Sequence, residues 1–427
     1  MRMLEKFVHF LNRSPTVYHA AREITAQLAE ADFTPLCEGE RWKLEPGKGY
    51  FVVREDTLVA AFRLPKKTPD SCVILASHVD SPALKVKPQP EISSNGIGLF
   101  GTELYGGPLL HTWLDRDLAV GGRIVVVDKN GKCESKLVLL DDYPVIIPGL
   151  AIHLQREINE KGVIVHKQDH LKAVYSIANK EKHLDTWLKK HHSFHHLLSF
   201  DLFLVPLEKA SYIGFENELI ASYRLDNLTS AYASLEALLT AKVQSDMIQM
   251  ALFWDHEEIG SQTYAGADSQ FVNQLLERIC TSFKMDREDY FRLKSQSLCL
   301  SCDVGHAYHP NFADKTDPQN APVMGKGPCV KFSARYATTG TTAAQVIHLA
   351  EKHKIPIQTS ANRSDLPGGS TVGAMMGANL GIPTVDLGLA CWAMHSIRET
   401  ISAKDQLALN ALLKASLEEP LIHPEEI

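Results

Sequence analysis

Nothing in the 427-residue sequence approaches about eighteen consecutive apolar residues, so no membrane-crossing helix is expected. The start, MRMLEKFVHFLNRSPTVYH, carries acidic and polar residues among its apolar ones and lacks the unbroken apolar stretch of a secretory signal. No run of about five like charges occurs and the formal net charge is -7, which removes the electrostatic footprint of a nucleic-acid binder or of a protein held on an anionic membrane surface. The eight cysteines are scattered, a pattern that suits free thiols in a reducing compartment better than a disulfide framework; a cytoplasmic protein is expected. Internal repeats are missing, and the one biased tract is the His/Lys-rich Lys182–His196. No carboxylate or cysteine completes a defined metal geometry with its histidines, so a solvated helix-loop is the favoured reading.

What is present is an ordinary globular composition, 44% hydrophobic and 22% charged, in a chain longer than the ~250–300 residues over which one core keeps growing. Two amphipathic helices open it, with Leu4, Phe7, Val8 and Leu11 on one face of the first and Val17, Ile24 and Leu28 on the second, which starts at Ser14-Pro15. Short strand-like runs follow at 50–53 and 58–62, and then the apolar run 72–76, a strand buried on both faces that ends at His78. Between 83 and 209 the texture changes to short strands such as 123–127 and 137–140, parted by Gly, Pro and Asp/Asn turns. From about 210 helices and buried strands alternate: helix 228–240, strand 250–254, strand 298–303, helix 342–353 and strand 384–387. The pattern predicts an α/β fold with a mostly parallel sheet flanked by helices, built from 1–82 and 210–427 and interrupted by a β-rich insertion at 83–209.

Five motifs stand where strands should end or helices begin: 77–82 (SHVDSP), 225–227 (LDN), 255–258 (DHEE), 302–306 (CDVGH) and 393–396 (AMHS). The carboxyl ends of strands are where open α/β sheets bind ligands. Singly, each has an ordinary explanation: a satisfied histidine for His78 or His395, a helix N-cap for Asp226, a solvated turn for Glu257-Glu258. The last is strained, because adjacent carboxylates at the end of a buried strand repel each other unless a cation offsets them. Together, five carboxylate or imidazole groups at sheet ends match the ligand count of a dinuclear metal site.

The strings His78–Pro82, Leu225–Asn227, Asp255–Ser261, Asp303–Asn311, Arg335–Gly340 and Met394–Glu399 resemble, in order and spacing, those of M18 metallopeptidases of the aspartyl aminopeptidase type. Phe10–Thr16 and Leu150–Leu154 are further similarities, and His256 departs from the small polar residue of many relatives. The resemblance implies a bacterial-type aminopeptidase that removes N-terminal residues, with preference for Asp or Glu, by a dinuclear-zinc-activated water. Asp226 would bridge the two metals, with His78 and Asp303 on one and Glu258 and His395 on the other. Imidazole and carboxylate ligands suit Zn²⁺ but admit Co²⁺ or Mn²⁺. Glu257 would be the general base, and Asp80 would hydrogen-bond His78 and raise its basicity. His306 and Lys331 would contact substrate, Lys331 presenting a cation to an acidic side chain. His153 would reach a neighbouring subunit's site, an alternative being a third histidine ligand. The insertion would mediate dimerisation within a homo-oligomer, a tetrahedral dodecamer open to peptides, with no nucleic-acid or membrane partner.

Two competing functions remain: a deacylase or carboxypeptidase on the same dinuclear scaffold, and a non-enzymatic oligomeric scaffold. Cys299-x-x-Cys302 could suggest half a zinc site, but an offset of three puts the thiols on opposite faces of a strand, as core packing requires. Pro367–Thr371 lacks the Gly-Lys-Ser/Thr ending of a phosphate loop and reads as a tight turn lining the substrate cleft.

Overall fold

A computed structural model describes residues 3–178, 183–366, 369 and 371–419. Its centre is a nine-stranded sheet in the order Thr34–Leu36, Gly49–Arg54, Leu58–Arg63, Met247–Trp254, Ser71–His78, Leu298–Cys302, Thr384–Gly388, Cys329–Phe332, Gln358–Ala361. The four strands in the middle, from Met247–Trp254 to Thr384–Gly388, are parallel, while both flanks include antiparallel pairs. The expected α/β fold is therefore present, parallel where the strands are most deeply buried.

Alternation along Ser71–His78 explains the layering. Val73 and Leu75 join the core on one face, Cys72, Ile74 and Ala76 the core on the other. The first face is covered by the amphipathic helices Met3–Arg13 and Val17–Glu30 and by Leu225–Thr240 and Ala403–Glu418; the second by Phe271–Ser282, Arg287–Ser295 and Val372–Leu380. Thr16 caps the second helix through its side chain, which accepts from the His19 amide, so the chain turns at Ser14-Pro15 as expected. Cys299 and Cys302 fall in opposite cores, and all eight cysteines are free.

All strands between Ala83 and Pro206 form one antiparallel six-stranded sheet, ordered Cys133–Val145, Leu118–Val127, His196–Pro206, Ala83–Ser94, Ile97–Tyr105, Ala173–Ser176. Part of the His/Lys-rich tract forms helix His183–His191 and the loop into His196; Lys182 lies outside the described residues. A third sheet, of five strands, was not anticipated: Ser211–Ile213, Leu219–Ser222, Glu399–Ser402, Ala390–Trp392 and Gly305–His306. No helix among the described residues is long and apolar enough to cross a membrane.

Candidate metal centre

Parallel pairing brings the chemical residues level. Trp254 sits opposite His78, Ser301 opposite Ala76 and Cys302 opposite Leu387, so His78, Glu257-Glu258 and Asp303 emerge at one sheet edge. Gly388 permits this, since a Cβ there would lie 1.7 Å from the Asp303 carbonyl oxygen. The five motifs stand at strand ends or a helix start as expected, but two of them do not belong to the parallel sheet. Asp226 follows Leu219–Ser222 and His395 follows Ala390–Trp392, both strands of the five-stranded sheet, so that sheet and not the parallel one delivers these two residues.

The result is a cavity of about 1200 Å³, open to solvent, containing His78, Asp226, Glu257, Glu258, Asp303 and His395. His78 Nε2 is 3.2 Å from Asp226 Oδ1 and 3.6 Å from Asp303 Oδ1. His395 Nε2 is 3.2 Å from Asp226 Oδ2 and 3.4 Å from Glu258 Oε1. Two trios thus share Asp226, each through a different oxygen. The Asp226 carboxylate caps no helix: the residue before Leu225, Arg224, has left-handed backbone, and Asp226 and Asn227 are themselves non-helical. Glu257 Oε2 lies 4.0 Å from His78 Nε2.

The surrounding shell holds this arrangement. The Asp80 carboxylate accepts from the Glu257 amide at 3.2 Å, the Glu258 amide at 3.1 Å and the Tyr105 hydroxyl at 2.8 Å; His78 Nδ1 lies 3.1 Å from the Asp80 main-chain carbonyl and 3.4 Å from its carboxylate. Asp80 therefore positions both an imidazole and the di-glutamate turn without reaching the cavity. Glu399, at the end of the 394–399 motif, accepts from the Asp226 amide at 2.9 Å and the His395 amide at 2.7 Å, tying together the two residues that follow strands of the five-stranded sheet. Ser81 donates to the Asp226 carbonyl at 2.7 Å and Asn227 to the Cys302 carbonyl at 2.8 Å, which fastens that sheet to the parallel one.

Electrostatics test whether cations fit. Burial pushes the Glu257 carboxyl up to about 8, helped by Asp303, Asp80 and Asp226 and opposed by His78. Burial, Asp226 and Asp80 also hold Glu258 well above the usual carboxylate range. Burial alone would lower His78, yet its contacts with Asp226, Asp303 and Asp80 raise it well above an ordinary imidazole. Against the same burial, His395 and His78 keep Asp226 below the usual carboxylate range. Asp226 Oδ1 and Glu258 Oε1 are buried without a hydrogen-bond partner. His78, Asp226 and Glu258 each offer a ligand atom within 4.8 Å of the others. Clustered acids that protons alone must neutralise, with orphaned oxygens turned toward imidazoles, are the donor set a hard or borderline divalent cation takes.

Lys331 and His306 line the same cavity. Lys331 is buried, its ammonium donating to the Val304 carbonyl at 2.7 Å; burial would lower it, but Asp303, Tyr336 and Asp386 keep it charged. Burial, then Lys331 and His395, lower His306 toward the neutral form. His153 is not brought in: it lies exposed on a short turn, Ile152–Leu154, outside the cavity. His256 turns away, its ring 2.7 Å from the Thr263 hydroxyl. Gly369 and Thr371 line the cavity, while Pro367, Gly368 and Ser370 of the expected turn lie outside the described residues.

A family model described as Aminopeptidase I zinc metalloprotease (M18) matches residues 10–416. A probable M18 family aminopeptidase 2 from Clostridium novyi is 38% identical over 417 residues, covering 95% of this chain and 96% of that one. The crystal structure of an M18 aminopeptidase from Thermotoga maritima superposes with a TM-score of 0.85 at 25% identity, covering 97% and 95% of the two chains. The S. cerevisiae mApe1 dodecamer gives 0.84 at 26% identity, with 96% and 95% covered.

Proposed function

This chain belongs to the M18 family of zinc metallopeptidases and is a metallo-aminopeptidase, and from that premise we propose that it works through two divalent cations, Zn²⁺ by preference, with Glu257 as general base. The observation that carries this reading is the pair of trios sharing Asp226, with Glu257 beside them. Asp226 would lie between the cations, His78 and Asp303 holding one, Glu258 and His395 the other. When bound, they supply Lewis acidity that polarises the scissile carbonyl and lowers the pKa of water toward ~7.

The chain's own groups do the rest. Glu257 takes a proton from the attacking water and returns it to the leaving amine, a role its buried, cavity-lining carboxyl suits. Asp80 keeps His78 and the di-glutamate turn in register. A neutral His306 donates a hydrogen bond to the carbonyl oxygen as negative charge develops there. Lys331 uses one of its three N–H groups on Val304 and offers charge to an acidic side chain on the residue being removed.

Residues 1–82 and 210–427 are the proposed peptidase unit and 83–209 the dimerisation unit of a homo-oligomer, by likeness to the mApe1 dodecamer. Exposed Leu150, Ile152, Leu154, Ile164 and Ile177 in that segment support an interface, and would bring His153 of one copy to the site of another. Free cysteines support a reducing, cytoplasmic setting. The test is release from peptides beginning with Asp, Glu, Leu and Ala, before and after chelation and with single metals restored. Faster release of Asp and Glu, lost in Lys331→Met, is expected. Equal rates on all four reject the Lys331 role, and cleavage indifferent to chelation rejects the metal mechanism.

A further inference from the structure

Asp386, on the strand Thr384–Gly388 of the parallel sheet, belongs to none of the motifs and does not line the catalytic cavity, yet it is completely buried. A buried carboxylate is costly unless donors answer it. Each oxygen of Asp386 has one, and the two come from different loops. Oδ2 accepts from the Ala337 amide at 2.7 Å, and Oδ1 accepts from the Thr371 hydroxyl. The Asp386 amide donates in turn to the Thr338 hydroxyl at 2.9 Å. Gly373 makes room for this junction, since a Cβ there would lie 2.2 Å from Asp386 Oδ1.

Both loops are walls of the space around Lys331. Tyr336, the residue before Ala337, sets its ring centre 5.6 Å from the Lys331 ammonium, and Tyr336 and Thr371 line the catalytic cavity together with Lys331. Lys331 stands on the neighbouring strand, where Val330 pairs with Leu387, and its ammonium is fixed by the Val304 carbonyl. The cation is thus held without Asp386, whereas both walls are bonded to the sheet through it. A carboxylate suits the junction because it only accepts, and its two oxygens can serve donors arriving from two directions. We propose that Asp386 is a positioning residue for substrate selectivity, which clamps the walls carrying Tyr336 and Thr371 at the spacing that leads an acidic N-terminal side chain onto Lys331. This rests on the Lys331 role proposed above. An N-terminal alanine has no side chain long enough to use those walls, so the clamp serves Asp and Glu and is nearly irrelevant to Ala.

The test compares α-aspartyl and alanyl p-nitroanilides, which share a leaving group, on the zinc-loaded full chain. Asp386→Ala frees both loops and should lower kcat/KM for the aspartyl substrate by about tenfold or more, chiefly through KM. The alanyl substrate should change by less than about twofold, with zinc per chain unaltered. A merely structural weakening would move both substrates together. Crystals of the variant should show the loops carrying Tyr336 and Thr371 displaced. Asp386→Asn supplies the rescue: its oxygen can accept from Ala337 while its NH₂ donates to the Thr371 hydroxyl, so the aspartyl preference should return to within about twofold of wild type. Thr371→Val, of the same shape, cuts one of the two links; it should give a smaller loss of the same kind, and it carries the test if Asp386→Ala does not fold. Equal falls on both substrates, an aspartyl preference untouched by Asp386→Ala and Thr371→Val, or Asp386→Asn as damaged as Asp386→Ala would each overturn the clamp. Lys331→Met run alongside tells the two readings apart. If it abolishes the preference while the Asp386 variants keep it, the clamp alone fails; if it leaves the preference intact, the Lys331 role fails and the clamp falls with it.

Discussion

Glu257 and Glu258 are neighbours in sequence with separate proposed tasks, and substitution should separate them. Glu257→Gln keeps the size of the side chain and removes the proposed base, so kcat should fall by about 10²–10⁴ while bound zinc per chain, measured by atomic absorption, stays at the wild-type value. Parallel loss of zinc would make Glu257 a ligand instead. Glu399 is the residue that sequence reasoning passed over, because its role is to accept two backbone amides, which leaves no mark in a motif. Glutamine offers a single acceptor oxygen, and its NH₂ would meet one of those amides donor to donor. Glu399→Gln should therefore weaken zinc binding by about 10–100-fold, read from competition with a chromogenic chelator, with Glu399→Asp recovering part of it. Unaltered affinity in both variants would reduce Glu399 to a packing residue. Asp226, by contrast, was legible only in company: its cap-like position before a helix concealed a carboxylate that faces two imidazoles.

Elements with a strong period were readable and those without one were not. The strand Ser71–His78 and the opening helices carry long apolar patterns, whereas the five-stranded sheet is assembled from strands of two to four residues, too short for alternation to show. The turns that carry the site are equally silent, because Arg224, His256, Ala393 and His395 all adopt positive φ without being glycine. Such backbone costs of order 1 kcal/mol or more per residue and persists where the surrounding contacts over-determine it. One turn does use glycine: Gly106, at φ +67, puts the end of strand Ile97–Tyr105 so close to the di-glutamate turn that a Cβ would lie 3.1 Å from Glu258 Cβ. Gly106→Val should destabilise by about 1–3 kcal/mol in denaturant unfolding and lower zinc affinity as well, because the only room for the added side chain is taken from Glu258. A variant that loses stability with zinc affinity intact would show the strain relaxing away from the site.

For the molecule as a whole, the α/β class followed from the alternation of helices and buried strands, but the assembly of the five-stranded sheet did not, because it depends on pairings such as Ile220 with Ile401, far apart in sequence. The fold buries a cluster of acids, and the stability of the whole chain should record it. Without metal, Glu257 and Glu399 are each pushed up to about 8 by burial, and Glu258 lies well above its ordinary value, so the folded protein holds protons that the unfolded chain releases near 4.5. More protons in the native state means that stability falls as pH rises through this window. His78 and His395, raised by their carboxylate partners against burial, act in the same direction, their contribution fading as pH climbs above 6.5. His19 and His306 are lowered, chiefly by burial, and favour the fold increasingly only up to 6.5; the depressed Asp226 and Asp80 matter only below about 3.8. Between pH 6.5 and 8 the terms from the site therefore share one sign. The Tm of chelated protein should fall by ~3 °C or more across that interval. At the proposed site zinc needs Glu258 ionised and His78 and His395 neutral, so the rise in Tm on adding it back should be larger at pH 8 than at pH 6.5. Differential scanning calorimetry at the two pH values, with and without zinc, decides the matter: a chelated protein whose Tm is flat or climbs with pH would mean that these carboxyls are already ionised without a cation, and that the cluster does not need one.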